Sequence, residues 1–269
     1  YNPKAVLPQK ISNRKTGFLW SHENLWDLEN HKQTKHWNTW KHRNTYSSAI
    51  KSTGAPVDFL TEEDNFDDYP FIVASSYQLI DQKLVDKWTK YVEKGGNLIL
   101  SCRTGQKDKN GHFFEANWSA PIVPLIGADV DFFDVLVTDM KGNIKANNNN
   151  FQWNTWADVL SPRKGTEVLA TYEDQFYKGK AAAVTRKLGK GTVTYIGVES
   201  TDGNLERQIV RSVYERANVA IENLPSGVFV EWRDGFYVGV NYSNKPVELA
   251  IPKGSKILVG QNPLQPAQA

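Results

Sequence analysis

A single cysteine, Cys102, stands in a chain of 269 residues. That excludes an internal disulfide framework and any zinc site assembled from several thiolates. No run of about 18 apolar residues occurs, so no segment has the length of a membrane-spanning helix. Charge of one sign is not in excess either. The 32 Lys and Arg face 30 Asp and Glu, and a net charge of +2 gives no global attraction to nucleic acid or anionic membrane. No glycine-rich phosphate loop follows an apolar run; the glycines at 189 and 191 sit in a hairpin turn. What the chain does hold is aromatic residues, 12% of the total with nine tryptophans. With ordinary charge, that excess points to a sugar-binding surface, a large interface or a Trp-rich core.

The chain opens YNPKAVLPQK, with neither an initiator Met nor a signal-peptide pattern, and reads as a piece of something longer. Residues 1–14 are expected to be a linker or arm. Three short apolar runs, in KTGFLWS, PVDFLTEED and YPFIVASS, read as buried strands. Thr34–Lys51 has helical character, with Gly54 in the capping position and Pro56 beyond it. In IDQKLVDKWTKYVEKGG, Leu84, Val85, Trp88, Tyr91 and Val92 recur at helical spacing between an Asp81 N-cap and a Gly95-Gly96 stop. NLILSC adds another buried strand. Continuous rather than alternating apolar strands predict a mostly parallel α/β sheet covered on both faces. Residues 103–150, with KANNNN at their end, are expected to be loop or flap. Strands follow in EVLATYE and in the hairpin AAAVTRKLGKGTVTYIGVES, then a helix in NLERQIVRSVYERAN. Past a boundary near Ile221–Pro225, four short strands with turns at RDG, SNKP and PKGS predict a small antiparallel β domain.

The conspicuous stretch is Phe18–Asn44, which holds four of the five histidines and four of the nine tryptophans. His22, His31, His36 and His42 lack the i, i+4 spacing that places two imidazoles on one helical face, so no metal site is expected and surface or interface histidines are the simpler reading. Trp37 and Trp40, three apart, are expected to share a helical face. Stacking on bases would need a basic groove that the balanced charge does not promise, so packing against protein fits better. Cys102 follows a buried strand, where α/β enzymes place nucleophiles. Its flanks at minus two and plus two are Leu100 and Thr104 rather than the small residues of a tight elbow, and the only downstream histidine is His112. A buried strand-end thiol is therefore expected. The acidic stretches TEEDNFDDYP and YEDQF read as solvated faces, since carboxylate pairs carry no diagnostic spacing.

The order of segments is similar to one family. FLWSHENLWDLE, then YPFIVASSYQLIDQKLVDKWTKYVEKGGNLILSCRTGQKDKNGH, PIVPLIGADVDFFDVL, GKGTVTYIG and LPSGVFVEWRDGFYVGVNYSNKPVEL resemble the region downstream of the barrel in family 42 β-galactosidases. The resemblance covers about Thr16 to Leu258. It departs at Ser75, where the family has Pro, and in the Asn-rich run near 145–150. It implies a flavodoxin-like domain, related to class I glutamine amidotransferases, over 15–220, and a small β-sandwich-like domain over 221–269. It implies a homotrimer, no cofactor, and a parent that hydrolyses terminal β-D-galactosides with retention. The (β/α)8 barrel with both catalytic glutamates is absent; a barrel needs about 250 residues of repeating βα units. This chain would then support its own barrel and assembly, with no catalytic residue of its own and no nucleic-acid or membrane partner. Amidotransferases pair a strand-end Cys with a later His, and no His follows His112. The resemblance places WSHENLW at a sheet edge facing the barrel or a neighbouring subunit, with Trp20, Trp26 and Arg103 as interface or substrate-mouth candidates. A carbohydrate-binding module and a Cys-dependent amidotransferase-like hydrolase remain as alternatives.

Overall fold

The computed structural model describes residues 6–137, 139–233, 235–251 and 254–267. A helical turn α1 (Gln9–Ser12) leads into β1 (Thr16–Leu19), α2 (His22–Asn30), α3 (Thr39–Lys51), β2 (Val57–Leu60), β3 (Phe71–Ala74), α4 (Gln82–Lys94) and β4 (Asn97–Ser101). Next come α5 (Val123–Ile126), β5 (Ala128–Asp134), β6 (Gly142–Ala146), β7 (Asn149–Pro162), β8 (Thr166–Tyr172), β9 (Ala181–Leu188), β10 (Gly191–Ile196), β11 (Val198–Ser200) and α6 (Asn204–Arg216). A separate hairpin, β12 (Val228–Arg233) with β13 (Phe236–Asn241), completes the elements.

The first eleven strands form one sheet of mixed direction. One end is parallel throughout, in the order β2-β1-β3-β4-β10. From β10 onward the pairings with β9 and β8 are antiparallel, as are those among β5, β6, β7 and β11. The expectation of a mostly parallel sheet therefore holds for one end only. Both faces of the parallel end are covered, because alternate side chains point to opposite sides. Phe18, Phe71 and Val73 pack with α3 and α6 residues such as Tyr46, Ile50, Ile209 and Tyr214. Leu19, Ile72, Ala74, Leu98 and Leu100 pack with Leu84, Trp88 and Val92 of α4.

Helix α4 buries the five apolar residues that its spacing singles out. The Asp81 carboxylate accepts from the Leu84 N–H at 2.8 Å, and the helix stops at Gly95, whose φ of 129° disfavours any side chain. Helix α3 starts at Thr39, with Asn38 as its cap, so Trp37 lies outside it. Trp37 is buried and Trp40 exposed; the two indoles do not share a face.

Residues 103–150 are not a flap. They contain α5, β5 and β6, and the Asn-rich run turns β6 into β7 through a two-residue loop at Asn147-Asn148. Asn147 has a φ of 53°, a conformation that asparagine tolerates better than most residues. Polar side chains on the exposed positions of β6 hid the alternation of buried Gly142, Ile144 and Ala146. The arm is also packed in its second half: Ile11 is buried, and the buried Arg14 pairs with Glu222 at 3.2 Å. Residues 1–5 lie outside the described residues. Among the described residues the last module has two paired strands rather than four, plus one bridge between Val247 and Leu264. Asp234 of the RDG turn, and 252–253 of the PKGS turn, lie outside the described residues.

Candidate functional site

Because β1, β3, β4 and β10 run parallel, their carboxyl ends meet at one end of the sheet, the place where open α/β sheets bind ligands. Here that crevice is filled. Ser21 caps α2, its hydroxyl accepting from the Asn24 N–H at 3.1 Å, and the Asn24 amide exchanges two hydrogen bonds with the Leu79 backbone. At the end of β4, Arg103 has a φ of 68° and no exposed surface. Its guanidinium donates to the carbonyls of His31 and Lys32, both at 3.1 Å, and lies over the rings of Trp37 and Trp156 at 4.4 and 4.7 Å. Arg103 was expected at an interface. It is instead an internal clamp on the α2–α3 connection, because the strand-end turn points it inward.

Around Arg103 lies a buried polar cluster. The Asp158 carboxylate accepts from the Arg103 N–H at 3.1 Å, Trp156 Nε1 at 2.9 Å and Tyr195 Oη at 2.6 Å. Burial raises its pKa, against the pull of those hydrogen bonds. His42 Nε2 is 2.9 Å from Ser101 Oγ, and His42 Nδ1 is 4.0 Å from Glu199 Oε2, beyond hydrogen-bond range. Burial, then the charges of Arg103, Arg43 and Lys41, holds His42 down to about 3, so the ring is neutral. Glu199 is pushed up to about 7 by burial, with Lys41 opposing and Glu206 adding. Glu206 accepts from the backbone N–H of Ser200 at 2.8 Å and from its hydroxyl. The expectation of surface or interface histidines fails for His42, which α3 turns into the core; His22, His31 and His36 are exposed.

Ser101, His42 and Glu199 form a hydroxyl–imidazole–carboxylate row, yet all three are buried and no substrate can reach them. Cys102 is equally enclosed, and burial, followed by the charges of Asp158 and Glu199, drives its thiol well above the ordinary range. Folded protein should therefore resist N-ethylmaleimide at neutral pH, while protein in concentrated guanidinium takes up one equivalent. Rapid labelling of the folded chain, read by mass spectrometry, would contradict this enclosure. Among the described residues no group of three or more His, Cys, Asp or Glu could hold a metal ion, and no helix is long and apolar enough to cross a membrane.

Beside the filled crevice runs an exposed aromatic row. Trp20, half-buried just after β1, contacts Trp40 at 5.8 Å, Phe59 at 5.4 Å and His22 at 6.0 Å between ring centroids. His22 passes the row on to Trp26 at 5.9 Å. Trp26, Trp40 and Phe59 are 61%, 51% and 65% exposed, and Arg43 lies under Trp20 at 4.4 Å. Of the three candidates from sequence, then, Trp20 and Trp26 come together and Arg103 does not join them. Sequence reasoning missed Arg43, Trp40 and Phe59 as members of this surface, and Asp158, Glu199 and Glu206 as buried acids. Only Glu206 carried a signal, an acid set among the apolar positions of its helix.

The family model for the β-galactosidase trimerisation domain matches residues 14–222. The β-galactosidase BgaH of Haloferax lucentense is 30% identical over 242 residues, covering 90% of this chain and 36% of that protein. The β-galactosidase Bga of Halorubrum lacusprofundi is 27% identical over 245 residues, with 86% and 35% covered. Among solved structures, the polyextremophilic β-galactosidase from Halorubrum lacusprofundi superposes with a TM-score of 0.82 at 25% identity, over 94% of this chain and 38% of that one. The β-galactosidase from Rahnella sp. R3 gives 0.80 at 19% identity, over 89% and 37%. The chain thus spans little more than a third of the length of these relatives.

Proposed function

The chain belongs to the β-galactosidase trimerisation domain family, and from that premise we propose that it is the assembly-forming portion of a family 42 β-galactosidase. The parent would hydrolyse terminal β-D-galactosides with retention, using two carboxylates carried on a barrel outside this chain. Residues 15–220 would form the assembly domain, flavodoxin-like in its β2-β1-β3-β4-β10 order, and residues 221–269 a separate small β domain. The single observation that carries the reading is the family match over 14–222. Its physical counterpart is the exposed row from Trp40 through Trp20 to Trp26, a concentration of indole surface of the kind buried at the centre of interfaces. The filled crevice explains why this portion would carry no chemistry itself.

A sugar-binding reading fits the row poorly. Trp20 meets Phe59 and His22 edge-on, at 76° and 83°, and Trp40 at 48°. Stacking on a pyranose calls for an open flat platform, and these rings interlock instead.

Light scattering after size exclusion tests the proposal over a range of concentrations. The expected mass is three times 30.5 kDa. A chain that stays monomeric at the highest concentration reached would overturn self-assembly as its function.

A further inference from the structure

Two buried polar atoms face each other without a hydrogen-bond partner among the described residues: His42 Nδ1 and Glu199 Oε2, 4.0 Å apart. Both residues are enclosed, at 0% and 2% exposure. The other Glu199 oxygen faces Lys41 Nζ at 3.6 Å, longer than a good hydrogen bond, so the carboxyl is fully committed to neither neighbour on α3. Leaving two such atoms unpaired is costly, and closing the gap takes a movement of about 1 Å. The imidazole can serve that gap in two ways. Its Nε2 lies 2.9 Å from Ser101 Oγ, and either atom can donate. Ser101 Oγ accepts from the Ser76 N–H at 2.6 Å and keeps its own hydrogen and a lone pair for His42. The rings of Trp37 and Tyr46 pack on the imidazole, with centroids at 4.9 and 5.2 Å, so the two nitrogens keep their places and only the proton is free to move.

We propose that Glu199 and His42 form a proton-gated switch in which the imidazole stays neutral and changes tautomer. With Glu199 protonated, its carboxyl O–H donates to Nδ1, and the Nε2–H donates to Ser101 Oγ. With Glu199 ionised, the imidazole proton sits on Nδ1 and donates to the carboxylate, while the Ser101 hydroxyl donates to Nε2. The two states differ by one proton, released from the carboxyl to solvent; the imidazole holds one proton in both. Burial, opposed by Lys41 and reinforced by Glu206, puts the Glu199 transition at about 7. Burial, then the charges of Arg103, Arg43 and Lys41, keeps the imidazole neutral down to about 3. The other ionisable groups of this end do not compete: burial holds Tyr46 and Cys102 protonated, Glu206 of α6 is taken by Ser200, and Asp158 of β7 by Arg103, Trp156 and Tyr195. Above neutrality the new charge also draws on Lys41, which follows Trp40 in the first turn of α3, so the state of the buried pair reaches the helix turn that carries part of the exposed row.

The test is nuclear magnetic resonance of the whole chain with isotope-labelled histidine, since ring nitrogen and carbon shifts distinguish the two neutral tautomers from the imidazolium. Spectra are followed from about pH 5 to about pH 9, on both sides of the transition. His42 is identified in a background where His22, His31, His36 and His112, all exposed, are replaced by Gln. Wild type is expected to pass from the Nε2–H to the Nδ1–H form with a midpoint near 7 and no imidazolium. In Glu199→Gln the amide N–H donates to Nδ1 at every pH, so the Nε2–H form should persist throughout. Lys41→Met removes a charge that favours the carboxylate and should raise the midpoint by roughly half a pH unit. One tautomer across the whole range in wild type, an imidazolium in place of the second tautomer, or a Glu199→Gln chain that switches as wild type does would overturn the proposal. Should Glu199→Gln lose its fold, Lys41→Met decides alone, and a midpoint that stays or falls overturns the proposal.

Discussion

Arg103→Ala is expected to destabilise the chain by about 3–5 kcal/mol in urea unfolding, the largest loss foreseen for any single side chain here. Three terms add. The carbonyls of His31 and Lys32 lose their donors, a cation leaves the faces of Trp37 and Trp156, and a cavity opens where a fully buried side chain stood. The backbone contributes nothing to the difference between Arg and Ala, because both are strained at a φ of 68°. Glycine is not, so Arg103→Gly should recover up to about 1 kcal/mol of the loss relative to Ala. The order wild type, Gly, Ala is the signature of a side-chain clamp seated on a left-handed turn. A loss below about 1 kcal/mol for Ala would show that Trp37 and Trp156 hold the α2–α3 connection without it.

Glu199→Gln should act in the opposite direction. The Glu199 pKa is about 7 in the fold against 4.5 as its ordinary value. The folded state therefore binds the extra proton between those values, and its stability falls as pH rises through that window. Above pH 7 the full penalty, about 3 kcal/mol, is present, and a neutral amide removes it. Near pH 4 the carboxyl is already protonated and the two proteins should melt alike. His42 works against this trend in the wild type. Its folded pKa is about 3, below the ordinary 6.5, so its contribution is lost as pH falls from 6.5. The two slopes nearly cancel between about 4.5 and 6.5, leaving a flat wild-type profile. In Glu199→Gln the His42 slope stands alone, and stability should climb from pH 4 to pH 7. Equal stability of variant and wild type at pH 8 would mean that Glu199 is ionised without penalty, held by Lys41.

The elements that sequence reasoning located best are those whose signal is local. Helix α4 announces both ends and its whole buried face within seventeen residues. The parallel strands declare themselves as short apolar runs. Strand β7 shows where this fails. Along Trp153–Leu160 the side chains serve three separate apolar clusters, with Trp153, Ala157 and Val159 in one, Trp156 in another and Leu160 in a third. Asp158, in the same strand, is buried and hydrogen-bonded. Such a strand has no single face, and its Asn-rich start reads as loop. The site divides in the same way. Trp20 and Trp26 are near neighbours in sequence, and their pairing could be anticipated; Arg43, Phe59 and Trp40 join them only through the placement of α3 and β2 beside β1. The fate of Arg103 depended on the sign of one backbone angle, which its residue type did not disclose.

The pairing of β4 with β10 has a consequence in time. Asn97 meets Thr192 and Ser101 meets Ile196, so the parallel end closes across the whole excursion that holds β5 to β9. Until β10 has been synthesised, β4 has no neighbour on that side, and the edge it offers is apolar and open. Closing so long a loop costs little extra entropy, but contacts between such distant residues form slowly. The interval between emergence of β4 and arrival of β10 is therefore the period in which this chain is most exposed to mispairing with another copy of itself.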